Sequence, residues 1–171
     1  MKKVKLYIAS SLDGFIAGPN GEIDWLPETP GEDYGYSEFI DGIDTTLMGG
    51  ETYRFVAGLD EFPYKDKRNI VFTRRKEIPK SEYVEFAQGD IAEQVRKLKA
   101  GEGKDIWLIG GGQIITPLHD AGLIDIYEIA IIPVVLGAGL PLFTGSASKR
   151  KLNLIDSKTY SSGLVMLKYS I

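Results

Sequence analysis

The sequence predicts an α/β protein: a mainly parallel sheet between helices, with an antiparallel hairpin at one edge. Two observations carry that class. Residues 45–48 and 106–109 are short β-rich runs, the second wholly apolar. Each passes straight into glycines, Gly49-Gly50 and Gly110-Gly111-Gly112, and then into a helical pattern. Buried strands alternating with helices are the signature of a parallel sheet. The last two β-rich runs, 152–157 and 164–170, are joined by a 160–163 turn and read as a hairpin.

The elements follow in order. Residues 4–8 alternate apolar and mixed positions and form a first strand. Residues 18–35 hold Pro19, Asn20, Gly21, Pro27, Pro30, Gly31 and Gly35, a long loop with Asp24-Trp25-Leu26 as a packed anchor. Loops of this length in compact domains are usually functional lids or disordered segments. Residues 36–42 form a short helix with Tyr36, Phe39 and Ile40 on one side. A helix over 51–58 follows the first glycine turn, and 69–73 is a further strand. Asp90 is the N-cap of a helix with Glu93 three residues on and Ile91, Val95 and Leu98 at helical spacing. A helix over 113–121 contains Pro117, which should kink it or sit in its first turn. Residues 126–132 form a strand.

The chain has 171 residues, 43% hydrophobic and 26% charged, with a formal net charge of −4. That length fits one domain with one sizeable core, here 1–171. The balance is unlike that of a disordered chain or of a basic nucleic-acid binder. Charge is uneven along the chain: 1–63 carries four basic groups against twelve acids, 64–104 eleven against seven, and 105–171 five of each. Such a split fits an anionic ligand beside the basic middle and an acid-lined pocket beside the first third. It equally fits chance variation among solvated faces. There is no cysteine, which excludes disulfides, thiolate metal sites and a cysteine nucleophile. The basic N-terminus lacks the apolar core of a signal peptide. The greasiest run, 129–136, is too short to span a membrane. The expectation is a cytoplasmic protein with no membrane or nucleic-acid partner.

Three strand ends can carry chemistry. Ile109-Gly110-Gly111-Gly112 lets backbone approach a phosphate at a helix N-terminus, or is simply a tight turn that needs positive φ. It matches neither the G-x-G-x-x-G nor the P-loop spacing. At Gly49-Gly50-Glu51-Thr52 the Thr52 hydroxyl caps a helix or meets a phosphate. Thr73-Arg74-Arg75 offers forked guanidinium donors to a phosphate, or is a solvated surface pair. His119, the only histidine, reads as a solvated surface residue, and Trp25 and Trp107 as packing residues. No acid or histidine cluster has metal-ligand spacing.

Together these segments resemble the dihydrofolate reductase-like fold. Within it they resemble the reductase domain of riboflavin biosynthesis and its stand-alone relatives. The resemblance rests on Ser11-Leu12-Asp13-Gly14-Phe15-Ile16-Ala17, Asp24-Trp25-Leu26, Leu47-Met48-Gly49-Gly50-Glu51-Thr52-Tyr53 and Val71-Phe72-Thr73-Arg74. It continues through Ile109-Gly110-Gly111-Gly112-Gln113, Leu123-Ile124-Asp125, Pro133-Val134-Val135-Leu136-Gly137 and Pro141-Leu142-Phe143. It implies a three-layer α/β/α sandwich with a mostly parallel mixed sheet, and an NADPH-dependent reductase acting on a pyrimidine or pterin-like substrate. It further implies that Gly110, Gly111, Gly112 and Gln113 hold the cofactor pyrophosphate, with Gly49, Gly50 and Thr52 across from them. Thr73, Arg74 and Arg75 would lie by the adenosine ribose and its 2′-phosphate, and Ala9 and Ile16 by the nicotinamide. Tyr53, Ile109 and Ile114 complete the implied cofactor set, residues 17–24 would be the lid, and a homodimer is the implied assembly.

Two positions depart from the family. Relatives usually carry Arg where this chain has Gly50, so the charge for a cofactor phosphate falls to Arg74 and Arg75. Dihydrofolate reductases place an acid a few residues after a Trp-x-Leu-Pro segment, where this chain has Pro30, which ranks folate below other substrates. Reduction also needs a proton from an acid or from water. Asp13 is the first candidate for a substrate-binding or acid role, against a plain Asp-Gly turn. Glu38 and Asp41 are second, against a solvated helix face. The leading expectation is a ribosylaminopyrimidine-type reductase. Dihydrofolate reduction and a non-catalytic NADP(H)-binding homologue are the alternatives.

Overall fold

The computed structural model describes residues 1–75 and 81–171; Lys76, Glu77 and Lys80 of the basic middle segment lie outside the described residues. The elements run β1 (Val4–Ser11), β2 (Phe15–Ala17), α1 (Tyr36–Asp41), β3 (Ile43–Gly49), α2 (Gly50–Ala57), β4 (Arg68–Phe72) and β5 (Val84–Ala87). They continue α3 (Ile91–Ala100), β6 (Asp105–Gly110), α4 (Gly112–Asp120), β7 (Ile126–Ile132), β8 (Leu140–Pro141), β9 (Asn153–Thr159) and β10 (Val165–Ser170). One sheet has the order β5-β4-β3-β6-β1-β7-β10-β9, and β2 pairs with β8 in a small second sheet. Every neighbouring pair from β5 to β7 is parallel. Strand β10 alone runs against its neighbours, β7 and β9.

Alternation along the strands builds two cores. Val4 and Leu6 of β1 and Ile106 and Leu108 of β6 join Val95 of α3 and Ile114, Ile115 and Leu118 of α4 on one face. Tyr7 and Trp107, one residue out of phase with these, face Phe39 of α1 and Ile43 on the other. There the Tyr7 and Phe39 rings stack at 4.3 Å. Tyr53 of α2 meets the Phe86 ring at 5.3 Å. Phe86 alternates with Ala87, which packs into the α3–α4 core. Helix α2 therefore shares the α1 face, and the architecture is the expected three layers.

Several boundaries differ from the sequence reading. Strand β1 reaches Ser11 because its second half pairs with β7 as far as Ile132. Strands β2, β5 and β8 were not legible: each is two to four residues long and exists through its partner. The Asp90 cap is as expected, its carboxylate accepting the Glu93 N–H at 3.0 Å. Pro117 lies inside α4, beyond its first turn, and the Ala121 N–H donates to the Pro117 carbonyl at 3.1 Å. The bond that Pro117 cannot make is the one to the Gln113 carbonyl, and both residues sit on the exposed side of α4, where water can serve it.

His119 is a correction: it is 6% exposed. Its Nδ1 lies 2.9 Å from the Tyr127 hydroxyl and its Nε2 2.8 Å from the Ser148 carbonyl. The chain after β8 folds back across the end of α4 and covers it, with the Phe143 ring at 5.1 Å.

The amino-terminal rim of the sheet is closed by charge. Lys2, 8% exposed, pairs with Asp44 and donates to Thr45 Oγ1 at 2.9 Å. Asp125 accepts the Val4 N–H at 2.7 Å and the Lys99 ammonium at 2.5 Å. Asp105 accepts the Lys3 N–H at 2.8 Å and pairs with Lys5. Burial alone would raise the Asp44 pKa. The Lys2 ammonium, the Thr45 hydroxyl and the Lys104 N–H outweigh it and hold the carboxyl below its ordinary value.

Candidate functional site

The site lies at the opposite rim, where the strands end. Strand β3 feeds α2 on one face of the sheet and β6 feeds α4 on the other, although β3 and β6 are neighbours. Adjacent strands whose helices leave to opposite sides open a crevice between them, the usual ligand position in open α/β sheets. A cleft of about 1680 Å³ occupies it. It runs from Thr73, Arg74, Arg75, Gln88 and Gly89, past the starts of α2 and α4, to Ile16 and the loop residues Pro19, Asn20, Gly21 and Ile23.

The two helix starts give the cleft its chemistry. Neither α2 nor α4 has a side-chain cap; their N-cap residues are Gly49 and Gly111. Each helix therefore presents first-turn N–H donors and a positive dipole end toward the cleft, a set suited to an anion. The register brings them together, since Met48 pairs with Gly110. Thr52 Oγ1 lies 3.8 Å from where a Cβ on Gly111 would stand.

The three glycines after β6 serve different ends. Gly110 has φ +124°, a conformation side chains rarely take, and joins Gly111 through a cis peptide. A Cβ on Gly112 would meet the Pro141 carbonyl oxygen at 2.6 Å, so this glycine serves helix packing. Only at Gly111 would a Cβ point among Ile16 and Thr52, both cleft residues.

Of the residues singled out from sequence, the cleft gathers Ile16, Gly49, Gly50, Thr52, Thr73, Arg74, Arg75, Ile109, Gly111, Gly112, Gln113 and Ile114. Gly110 lies behind this lining, and Tyr53 packs on Phe86. Ala9 belongs to the other face of β1, in a cluster with Trp25 and Leu26. The candidate acids lie outside the lining. Asp13 accepts bonds from the Ser11 hydroxyl at 2.6 Å and from the Leu136 and Gly137 N–H groups at 3.1 and 2.7 Å. The Ser11 hydroxyl is the largest influence on its carboxyl, and together with the Gly137 and Leu136 N–H groups it outweighs desolvation and holds the carboxyl below the ordinary value. Asp13 thus ties the end of β1 to the loop after β7, next to a turn with Gly14 at φ +88°. Glu38 and Asp41 are exposed on α1.

Sequence reasoning missed Glu51, Arg54, Phe55, Gln88 and Thr144, all in the lining. Glu51 is the one acid there among the described residues. The first third's other acids lie outside this lining, and Asp33, for one, accepts the Gly35 N–H at 2.9 Å. Glu51 and Arg54 had a signal, since i,i+3 opposite charges follow the glycine turn on the same helix. Gln88 and Thr144 had none, as strand pairing and loop return bring them in. Among the described residues no acid or histidine cluster could hold a metal ion, and no helix is long and apolar enough to cross a membrane.

A switch-point cleft, helices on both faces and one antiparallel strand near the sheet edge define the dihydrofolate reductase-like class. A dihydrofolate reductase of Enterococcus faecalis, solved with NADP(H), superposes with a TM-score of 0.72 over 98% of this chain and 95% of its own, at 16% identity. Within that class the chain belongs to the RibD C-terminal domain family, whose model matches residues 2–166. It is 41% identical over 170 residues to the uncharacterised protein YwjB of Bacillus subtilis (strain 168), covering 98% of this chain and 97% of that one. A protein of Shewanella sp. PV-4 provisionally assigned to riboflavin biosynthesis matches with a TM-score of 0.86 at 30% identity, over 98% of both chains. The Thermotoga maritima deaminase/5-amino-6-(5-phosphoribosylamino)uracil reductase matches at 0.76 and 20% identity, with 99% of this chain covered but 56% of that one.

Proposed function

We propose that this protein is an NADPH-dependent reductase of the riboflavin-biosynthesis type, transferring hydride to a small pyrimidine or pterin-like substrate. The observation that carries the reading is the meeting of two helix starts, neither capped by a side chain, in one cleft with Arg74 and Arg75 at its far end. A dinucleotide fits that donor set: pyrophosphate suits paired helix N-termini, and a ribose phosphate suits forked guanidinium donors. The N–H groups of Gly111, Gly112 and Gln113, with Gly49, Gly50 and the Thr52 hydroxyl opposite, would hold the pyrophosphate. Thr73, Arg74 and Arg75 would take the adenosine end.

When bound, the nicotinamide supplies a hydride. Ile16 and Ile109 give its end of the cleft an apolar wall, with Ala9 behind on the other face of β1. The loop over Pro19–Ile23 would exclude bulk water there. Asp13, held ionised by three donors, suits a positioning role for the loop after β7 better than proton donation. Water admitted to the cleft would then supply the proton, and Glu38 and Asp41 remain the alternative acids only if α1 borders the substrate. The protein would act as a cytoplasmic homodimer.

Titration with NADPH, followed by quenching of Trp25 and Trp107 fluorescence, tests the cofactor reading. Saturation at micromolar cofactor is expected, and no binding at millimolar NADPH would overturn it. Turnover across a panel of ribosylaminopyrimidine and dihydropterin substrates separates the reductase from dihydrofolate reductase activity. Cofactor binding with no oxidation across the panel would favour a non-catalytic homologue.

A further inference from the structure

We propose that Arg54, held by Glu51, decides which dinucleotide the cleft prefers. The inference rests on the dinucleotide reading above and adds a specificity element to that site. Both residues line the cleft, Glu51 just past the end of β3 and Arg54 one turn further along α2. Helical side chains lean toward the helix N-terminus and lie over the preceding turn. Arg54 follows that geometry: its guanidinium pairs with the Glu51 carboxylate in the first turn of α2. One turn before Arg54 on the same helix face is Gly50, where a Cβ would meet nothing within 4 Å. The guanidinium therefore reaches back toward an open space at the start of the helix, on the wall that leads to Arg74 and Arg75.

The pair is built to be exchanged. The Arg54 side chain is 55% exposed and Glu51 75%, so their ion pair contributes little to stability and opens easily. A phosphate monoester on the adenosine ribose offers Arg54 a doubly charged, forked acceptor in place of a singly charged carboxylate. Glu51 would then face that phosphate and oppose it, while a ribose bearing a free 2′-hydroxyl would meet no repulsion and could donate to the carboxylate. One residue of the pair favours NADPH and the other tempers it, so removing them should move selectivity in opposite directions.

Calorimetric titration of the full chain with NADPH, NADH, adenosine 2′,5′-bisphosphate and AMP tests this, with thermal unfolding as the control for folding. Arg54→Ala should weaken NADPH and the bisphosphate about 10-fold and leave NADH and AMP within about 2-fold. Glu51→Gln should tighten NADPH about 3-fold and not tighten NADH. Gly50→Arg in the Arg54→Ala background should restore most of the NADPH affinity, because the position is open and its side chain can reach the same space. Equal weakening of all four probes by Arg54→Ala, weaker NADPH binding in Glu51→Gln, or no recovery in the double variant would each overturn the proposal. If the unmodified protein binds none of the four, the dinucleotide reading fails first, and the role of Arg54 with it.

Discussion

The two rims of the sheet have the same strands and opposite chemistry. At the amino-terminal rim, acids are engaged by neighbours: Asp44 by Lys2, which also donates to Thr45, Asp125 by Lys99 and the Val4 N–H, and Asp105 by the Lys5 ammonium and the Lys3 N–H. At the carboxyl-terminal rim, two helices begin on glycine with no side-chain cap, and arginines face a cleft. The first rim stabilises the fold. The second leaves donors without protein partners, which a fold tolerates only where water or a ligand can reach them. On the proposed reading, stability and binding are divided between opposite edges, and substitutions should separate them.

The largest effect should come from the closed rim. Asp125→Ala removes the acceptor of the Val4 N–H and leaves Lys99, 14% exposed, with the Leu123 carbonyl but no counter-charge. A loss of about 2–3 kcal/mol in urea unfolding is expected, with cofactor affinity of the folded fraction unchanged. A parallel loss of affinity would break the division. Next is Gly50→Glu at the open rim. An acid in the first turn of α2 favours the helix dipole, so stability should hold or rise by about 0.5 kcal/mol. The same charge should weaken NADPH about 10-fold in a fluorescence titration. Destabilisation by this variant would show that the open rim also supports the fold.

The smallest effect is at Tyr127. Burial pushes its pKa up to about 12, with a smaller lowering by Arg150 and a smaller raising by Asp125. A group whose folded pKa lies above its unfolded one contributes stability below the unfolded value, about 10, and loses it as pH climbs toward 12. Stability should therefore fall between about pH 10 and 12, and Tyr127→Phe should flatten part of that fall. At neutral pH the same variant should cost about 1 kcal/mol, since His119 Nδ1 loses its donor. An unchanged alkaline limb in Tyr127→Phe would place the titration elsewhere.

How far the sequence reached differs between the rims in a similar way. The open rim was legible because its parts are local: strand, glycines, helix start, within seven residues at 47–53 and again at 108–114. The closed rim was almost wholly illegible. Val4 meets Asp125, and Lys2 meets Asp44, across stretches of chain that no spacing rule connects. His119 looked like a surface residue because its cover, Ser148 and Phe143, arrives from a loop about 25–30 residues on. Within the cleft, Arg54 was passed over because attention fell on strand ends, whereas its position follows from the lean of a helical side chain.

One feature of the sheet bears on how the chain reaches its folded state. Of the described strands β1 is made before the others, yet it sits in the middle of the sheet, where Val4 pairs with Ile106 and Lys5 with Ile126. Both partners leave the ribosome only after more than a hundred further residues. Until then β1 has two unsatisfied edges and the apolar residues Val4, Leu6 and Ile8 on one face, the combination that draws non-native pairing and chaperone capture. Joining the two ends of this chain through a linker, with new ends opened before β6, would make β1 follow its partners β6 and β7 in sequence and should shorten that wait and speed refolding, with the cleft unchanged.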